Sequence, residues 1–373
     1  MWTRIKALHD EGVELHIICW TSQKTTDSQI NTLRKHCSEL SIFNRNISSL
    51  LNVITNPQYP VGVATHVVNR KNFLLELEKV KAFNPDALVV DGIYGAVVAL
   101  DLASHLKLPI FYRSHNVEYQ HMLDQVKSSS SWFKKLRYLV DAPRMYKLER
   151  ILRQECYKTY DICEQDSKFW HALIGIPSQV LQPLIQEHDT INQIEDSVEQ
   201  SIDILYIGNL HNPNNLNGLR WFILQVLPYV YTKRKVRVVL AGSNPNAELI
   251  QLSKAADIEV IENPPTLGNL YASAKVLINP ILHVSGINIK TVEMLSTGKP
   301  LVASKHAVRG ISSQISSLVK IANTEGEFAE AILDILSKPT ALNERQQALI
   351  KQEFGKGQVL LFLKDLENLV NRS

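Results

Sequence analysis

The segment from Val276 to Ser304 restricts the possible folds of this chain more than any other. Val276-Leu277-Ile278-Asn279 is a short apolar run ending at Pro280, and Leu301-Val302-Ala303 is a second, preceded by Gly298-Lys299-Pro300. Short apolar runs bounded by turn residues are what strands covered on both faces of a parallel sheet require. Between them a polar loop with one glycine, Gly286, leads into a short helical pattern. Gly298 stands where a helix C-cap belongs, and Pro300 prevents continuation. The order strand, loop, helix, strand puts Ser285–Asn288 at the carboxyl end of a strand, where open α/β sheets take their ligands.

The chemistry of that loop follows from its residues. The first backbone N–H groups of a helix lack partners and carry partial positive charge, which favours phosphate oxygens. Gly286 lets the backbone come close, and Lys290 adds a mobile cation one turn later. Glu293, three residues on and on the same helix face, can accept hydrogen bonds from a ribose diol. Phosphate cradle plus diol acceptor describes a nucleoside-diphosphate site. The spacing alone is equally compatible with a solvated loop carrying an ordinary Lys/Glu pair.

At 373 residues the chain exceeds what one hydrophobic core usually supports, so two domains are expected. The formal charge of +3 is too small to make nucleic acid the main partner. Cys19, Cys37, Cys156 and Cys163 form no CxxC pair and no metal-binding spacing, which reads as thiols in a reducing compartment. No apolar run approaches the ~20 residues of a membrane span. The first residues, interrupted by Asp10, Glu11 and Glu14, do not pattern as a signal peptide, so a cytoplasmic protein is expected.

Strands and helices alternate along the chain. Helices are expected at 1–9, 29–40, 71–83, 132–158, 216–230, 325–336, 341–354 and 357–371, and another is expected to end at Leu106. Strands are expected at 13–20, 87–90, 109–112, 160–163, 202–207, 236–241 and 258–261, with 306–310 and 318–321 finishing the second sheet. Residues 44–65 read as irregular. The polar, acidic stretch 185–201 reads as a linker, dividing an N-terminal domain (1–184) from a C-terminal one (202–354) and a final helix (355–373). This pattern describes two doubly wound, Rossmann-like α/β domains.

Three stretches carry a resemblance: SGINIKTVEMLSTGKPLVAS from Ser285, YIGNLHNPNN from Tyr206 and FYRSHNVEY from Phe111. They resemble retaining glycosyltransferases of family 4, glycosyl transferases group 1, whose fold is GT-B: two Rossmann-like domains facing a cleft. The resemblance implies that Glu293 is the second Glu of a Glu-x7-Glu motif and holds the donor ribose. Ser285 stands where the first Glu falls, as in a subgroup with Ser-Gly-Ile-x-x-Lys. Backbone amides of Ser285, Gly286, Ile287 and Asn288, with Lys290, then face the donor. The turn Gly208-Asn209-Leu210-His211 with Asn215 approaches the donor diphosphate in the family; His211 and Asn215 replace the basic residues usual there. His115 corresponds to the histidine facing donor sugar and acceptor, with Arg113, Asn116 and Glu118 on the acceptor side. The last helix is expected to cross back onto the first domain. A strand and Gly-rich turn that normally open the fold are expected to be missing ahead of the first helix.

The implied activity is transfer of a hexose from a nucleoside-diphosphate sugar to a saccharide or lipid-linked acceptor, with retention, in cell-surface polysaccharide or glycoconjugate synthesis. No Asp-x-Asp occurs, so a metal-chelated diphosphate is not implied; neither metal nor cofactor is expected. GxxxxGK[ST], GxGxxG and GxSxG are absent as well. A non-catalytic or degenerate nucleotide-sugar binder and a nucleotide-sugar epimerase remain as alternatives. Residues 132–158 carry eight cations against three carboxylates, interleaved with Trp132, Phe133, Leu136, Leu139 and Val140. Such a face suits peripheral contact with an anionic membrane at the inner face of the plasma membrane, or a solvated face meeting the core.

Overall fold

The computed structural model describes residues 2–22, 25–45, 49–129, 131–185, 201–282, 286–338 and 340–371. Of the expected linker, 185–201, residues 186–200 lie outside them. The chain divides into two compact units, Met1–Gln182 with Val359–Ser373, and Pro183–Gln358.

The first unit runs α1 (Trp2–Asp10), β1 (His16–Thr21), α2 (Asp27–Arg34), β2 (Glu39–Asn44), α3 (Ser49–Thr55), α4 (Val61–Ala64) and α5 (Arg70–Phe83). It continues with β3 (Leu88–Asp91), α6 (Ala96–Leu106), β4 (Ile110–Arg113), α7 (Glu118–Ser128), α8 (Trp132–Glu155), β5 (Lys158–Asp161), α9 (Glu164–Ile174) and β6 (Gln179–Val180). β1 and β2 pair in parallel, and β3-β4-β5-β6 form a separate parallel sheet. Two expectations fail here. The helix expected over 29–40 stops at Arg34, and Glu39–Asn44 is a strand. The capping box of Thr26 and Gln29 fixes where α2 starts, and Leu40 and Ile42 alternate with polar neighbours in the strand period. Residues 44–65, expected to be irregular, contain α3 and α4.

α8 is a helix of two characters. From Ala142 onward it buries Met145, Leu148 and Leu152 in the core with Val90, Ile110 and Tyr112. Before Asp141 it buries nothing: Trp132, Phe133, Leu136, Leu139 and Val140 are all exposed. It ends at Glu155, three residues short of the expected limit, because Lys158 already belongs to β5.

The second unit runs β7 (Ile202–Ile207), α10 (Pro213–Trp221), a π-helical turn (Phe222–Val226), α11 (Leu227–Lys233), β8 (Val238–Gly242), α12 (Ala247–Ala255), β9 (Glu259–Glu262) and α13 (Gly268–Ser273). Then come β10 (Ala274–Asn279), α14 (Ile289–Ser296), β11 (Leu301–Ala303), α15 (Ser313–Ser316), β12 (Lys320–Ile321), α16 (Glu325–Ser337) and α17 (Glu344–Phe354). α18 (Gly357–Val370) follows, and Phe362 packs on Phe111 and Tyr160 while Asp365 accepts from Tyr160 at 2.8 Å. Residues 306–310, expected to form a strand, are turns ending at Gly310 with φ +79°, and β12 takes the sheet edge instead.

The six strands β12-β11-β10-β7-β8-β9 are all parallel. Chain order runs outward from β7 to β9, then returns through α13 to β10 and runs outward the other way. Strand order therefore reverses between β7 and β10, which makes their carboxyl ends the topological switch point of a doubly wound sheet. Ile204, Leu240, Val276, Ile278 and Val302 of the sheet pack with Phe222, Phe328 and Ile332 of the covering helices, all buried. Burial on both faces is what the continuous apolar runs required.

Candidate functional site

Two loops leave the sheet at the switch point: 208–212 after β7, and the one after β10, described at 280–282 and 286–288. The first is shaped by close backbone contact. Gly242, at φ +155°, lies so near Gly208 that a Cβ on it would come 1.7 Å from the Gly208 carbonyl oxygen. A Cβ on Gly208 would in turn meet the Tyr206 hydroxyl at 2.9 Å and Lys290 Cε at 3.0 Å. Asn209 folds the turn by accepting from the backbone N–H of His211 (2.8 Å) and of Asn212 (2.9 Å). Asn212 caps α10, accepting from Asn214 N–H. His211 is exposed.

The second loop delivers α14. Ser285 and its two predecessors lie outside the described residues, so the Ser285 expectation is not addressed. Gly286 is buried at φ +65°, a conformation glycine takes without strain. Ile287 and Asn288 are buried as well, and Asn288 occupies the N-cap position of α14. The helix start is anchored from below: Asn279 donates to the Thr291 hydroxyl at 2.9 Å, and Thr291 donates to the Ala307 carbonyl at 2.7 Å. Gly298, at φ +71°, ends the helix as its sequence position suggested.

Lys290 reaches back across the switch point. Its ammonium donates to the Tyr206 hydroxyl at 2.6 Å and to Asn215 Oδ1 at 2.9 Å, 4.4 Å above the Tyr206 ring. Asn215 is held in turn by its own donation to the Asn209 carbonyl at 2.8 Å. Burial pushes the lysine down to about 7, against the attraction of Glu293. Glu293 is exposed; partial desolvation by neighbouring protein atoms raises its carboxyl, with Lys290 pulling the other way. Gly208, Asn209, Asn215, Gly286, Asn288, Lys290 and Glu293 thus belong to the two loops and the helices α10 and α14 at the switch point. Tyr206 was missed by sequence reasoning, because a tyrosine inside a strand reads as core.

In the first unit, β3 and β4 pair Asp91 with Arg113 at their carboxyl ends. His115 Nε2 lies 2.6 Å from Asp91 Oδ1, and Arg113 donates to the same oxygen at 3.1 Å. Burial alone would raise Asp91, but the His115 hydrogen bond and the charges of Arg113, His115 and Arg4 hold it well below the usual carboxylate range. Arg113 is buried and also donates to the Leu181 carbonyl at 3.2 Å, so it serves the framework under His115. Glu118 is buried, and burial raises its carboxyl. Asn116 sits 3.5 Å from it. Arg113 and Glu118 are buried, whereas His115 and Asn116 are partly exposed. Asp91 was also missed; its pairing with His115 depends on strand register, which spacing does not encode.

Comparison with known proteins bears on the second unit first. Residues 201–338 match the family model described as glycosyl transferases group 1. The matched stretch is similar to that family and contains the switch point and α14. A 44.6 kDa protein of the cps region of Klebsiella pneumoniae is 24% identical over 247 residues, 62% of this chain and 61% of that protein's length. Sucrose-phosphate synthase from Thermosynechococcus elongatus superposes with a TM-score of 0.67 at 13% identity, covering 100% of this chain and 92% of the synthase. HepE of Anabaena, solved with UDP and glucose, gives a TM-score of 0.67 at 11% identity, covering 98% and 94%. At these identities the structures establish the fold, and it is GT-B. Among the described residues no helix is long and apolar enough to cross a membrane.

Proposed function

We propose that this protein transfers a sugar from a nucleoside-diphosphate sugar to a saccharide or lipid-linked acceptor in the synthesis of a surface polysaccharide. The observation that carries this reading is the Lys290 ammonium fixed at the switch point of the matched stretch, one helical turn from Glu293. Breaking a glycosidic bond builds negative charge on the leaving diphosphate and oxocarbenium character on the sugar. Lys290 and the backbone N–H groups at the start of α14 meet that charge; Glu293 accepts from the ribose hydroxyls. A fixed donor of this kind contributes about 3–4 kcal/mol to the transition state. The chemistry needs no metal, and retention at the anomeric carbon follows the resemblance. On the acceptor side, His115, oriented by Asp91, is a polar group with solvent access. The polysaccharide assignment draws support from the cps-region relative.

The amino-terminal half of α8 supports a membrane-facing location. Trp132 (62% exposed) and Phe133 (67%) continue into Leu136, Leu139 and Val140, an apolar stripe at helical spacing. Lys134, Lys135 and Arg137 flank it. Apolar side chains that enter the acyl boundary, beside cations that meet anionic headgroups, fit the cytoplasmic leaflet of a bilayer.

Nucleotide titration tests the donor site. Glu293→Ala and Lys290→Ala are each expected to weaken UDP, GDP or ADP binding at least about tenfold, the loss of a single charged hydrogen bond. Wild-type affinity in both variants, with the fold intact, refutes the assignment. Turnover separates the reactions: a transferase releases nucleoside diphosphate in step with a glycosylated acceptor, whereas an epimerase interconverts donor sugars without one. For α8, co-sedimentation with phosphatidylglycerol vesicles is expected, and Trp132→Glu with Leu136→Glu is expected to abolish it. Equal recovery on neutral phosphatidylcholine, or no effect of the substitutions, refutes the membrane contact.

A further inference from the structure

We propose that Tyr206 and Asn215 are positioning residues that hold the Lys290 ammonium at the switch point with one N–H free for a diphosphate oxygen, an inference that rests on the donor site proposed above. Neither residue needs to touch the nucleotide. Tyr206 lies within β7 and is buried; Asn215 is one turn into α10; Lys290 is in the first turn of α14. The three elements bring their polar side chains together in this cluster.

An ammonium has three N–H groups. Two point at oxygens, Tyr206 Oη at 2.6 Å and Asn215 Oδ1 at 2.9 Å. A lysine stem carries about 2 kcal/mol of rotamer entropy, most of which these two bonds and the ring beneath remove before any ligand arrives. The acceptors are themselves fixed. Asn215 uses its Nδ2 on the Asn209 carbonyl, which orients its Oδ1 toward the lysine. Tyr206 is locked in the sheet, and its hydroxyl has room only because residue 208 lacks a Cβ.

Protonation follows from the same arrangement. In the free protein, burial draws the lysine down to about 7, so near neutral pH it is held between its two states. The groups facing it are Glu293 along α14, which favours the charge, and the Tyr206 phenol, which burial keeps protonated. Tyr271 of α13 adjoins Glu293 rather than the lysine. An arriving diphosphate favours the ammonium, so binding takes up a proton. Affinity is then full below the lysine's free-state value and falls as pH rises through it. Removing an acceptor destabilises the ammonium and moves that fall to lower pH.

The test is calorimetric titration of UDP, GDP and ADP from pH 6 to 9 with the wild-type chain and with Tyr206→Phe, Asn215→Ala and Lys290→Ala. Tyr206→Phe keeps the ring and removes the oxygen; it is expected to move the midpoint down by about one pH unit, costing about tenfold in affinity at pH 8 and little at pH 6. Asn215→Ala, at a partly exposed site, supplies the same readout if Tyr206→Phe folds poorly. Midpoints equal to wild type in both variants overturn the positioning role. If Lys290→Ala also binds like wild type at every pH, or no nucleoside diphosphate binds the wild-type chain, the donor site itself is refuted. A binding loss in Lys290→Ala beside unmoved midpoints in the other two overturns only the present inference.

Discussion

Glu149 provides a quantitative test of how α7 is held in place. Its side chain is completely buried, and its two oxygens accept from the backbone N–H groups of Glu118 (2.9 Å) and Tyr119 (3.1 Å), the first turn of α7. Burial lifts its carboxyl from 4.5 to about 8, against those two hydrogen bonds. The sign follows from linkage. A group whose folded value is raised binds more protons in the folded state, so the stability it confers is complete below about pH 4.5 and drains away as pH rises toward 8. At about 1.36 kcal/mol per pH unit, the loss between pH 5 and pH 9 is at most about 4 kcal/mol. Glu149→Gln removes the titration and leaves one of the two backbone N–H groups facing an amide NH2, a cost of about 1 kcal/mol. The variant is therefore expected to be slightly less stable than wild type at pH 5 and more stable at pH 9. The curves cross near pH 6, and the melting point at pH 9 rises by about 5–10 °C at this domain size. Thermal and urea unfolding of both proteins, at constant ionic strength, give the difference directly. Subtraction cancels the titrating groups that do not interact with Glu149; Glu118, whose charge acts on it, is the carboxylate that does. A difference that stays flat from pH 5 to pH 9 shows that Glu149 does not hold its proton in the folded chain.

Two further substitutions probe the framework around the sites. Gly242→Ala drives a methyl into the Gly208 carbonyl oxygen, 1.7 Å from where its carbon would stand; with backbone on both sides, a loss above about 3 kcal/mol is expected in urea unfolding, and a wild-type midpoint contradicts the close contact. Asp91→Asn leaves the buried Arg113 guanidinium without its counter-charge, so about 3 kcal/mol of stability should be lost at pH 7. Because Asp91 is held below its ordinary value, its contribution is present above about pH 4 and lost on further acidification. The gap between wild type and Asp91→Asn should close in acid, and a gap that widens there rules the ion pair out.

The sequence made the sheet of the second unit legible because burial on both faces writes continuous apolar runs. Ile202–Ile207 and Leu301–Ala303 have no polar alternation to misread. The donor-side helix was equally legible from Gly286, Gly298 and Pro300, each of which has one backbone role. What spacing could not supply was pairing between distant residues. Tyr206 and Lys290 are separated by 84 positions, and only the return of the chain through β10 brings them within 2.6 Å. His115 was singled out, but Asp91 acquires its role from the register that sets it opposite Arg113. The strand Glu39–Asn44 was hidden because an apolar i, i+2 pair following a helical pattern fits either period over so few residues.

The switch point also shows why glycines and charge cannot be considered separately there. Gly242 is needed so that the Gly208 carbonyl can approach β8; Gly208 is needed so that the Tyr206 hydroxyl and the Lys290 stem can pass over it. The same close packing partly desolvates the lysine and lowers it to about 7. A side chain at either glycine would therefore act at two levels, separating backbone segments and rehydrating the cation. Rehydration would return the lysine toward its ordinary value and weaken its hold on any anion by restoring competition from solvent. The steric requirement and the electrostatic one are met by a single arrangement, in which the strands approach closely enough to leave the ammonium a partly desolvated seat and one open direction.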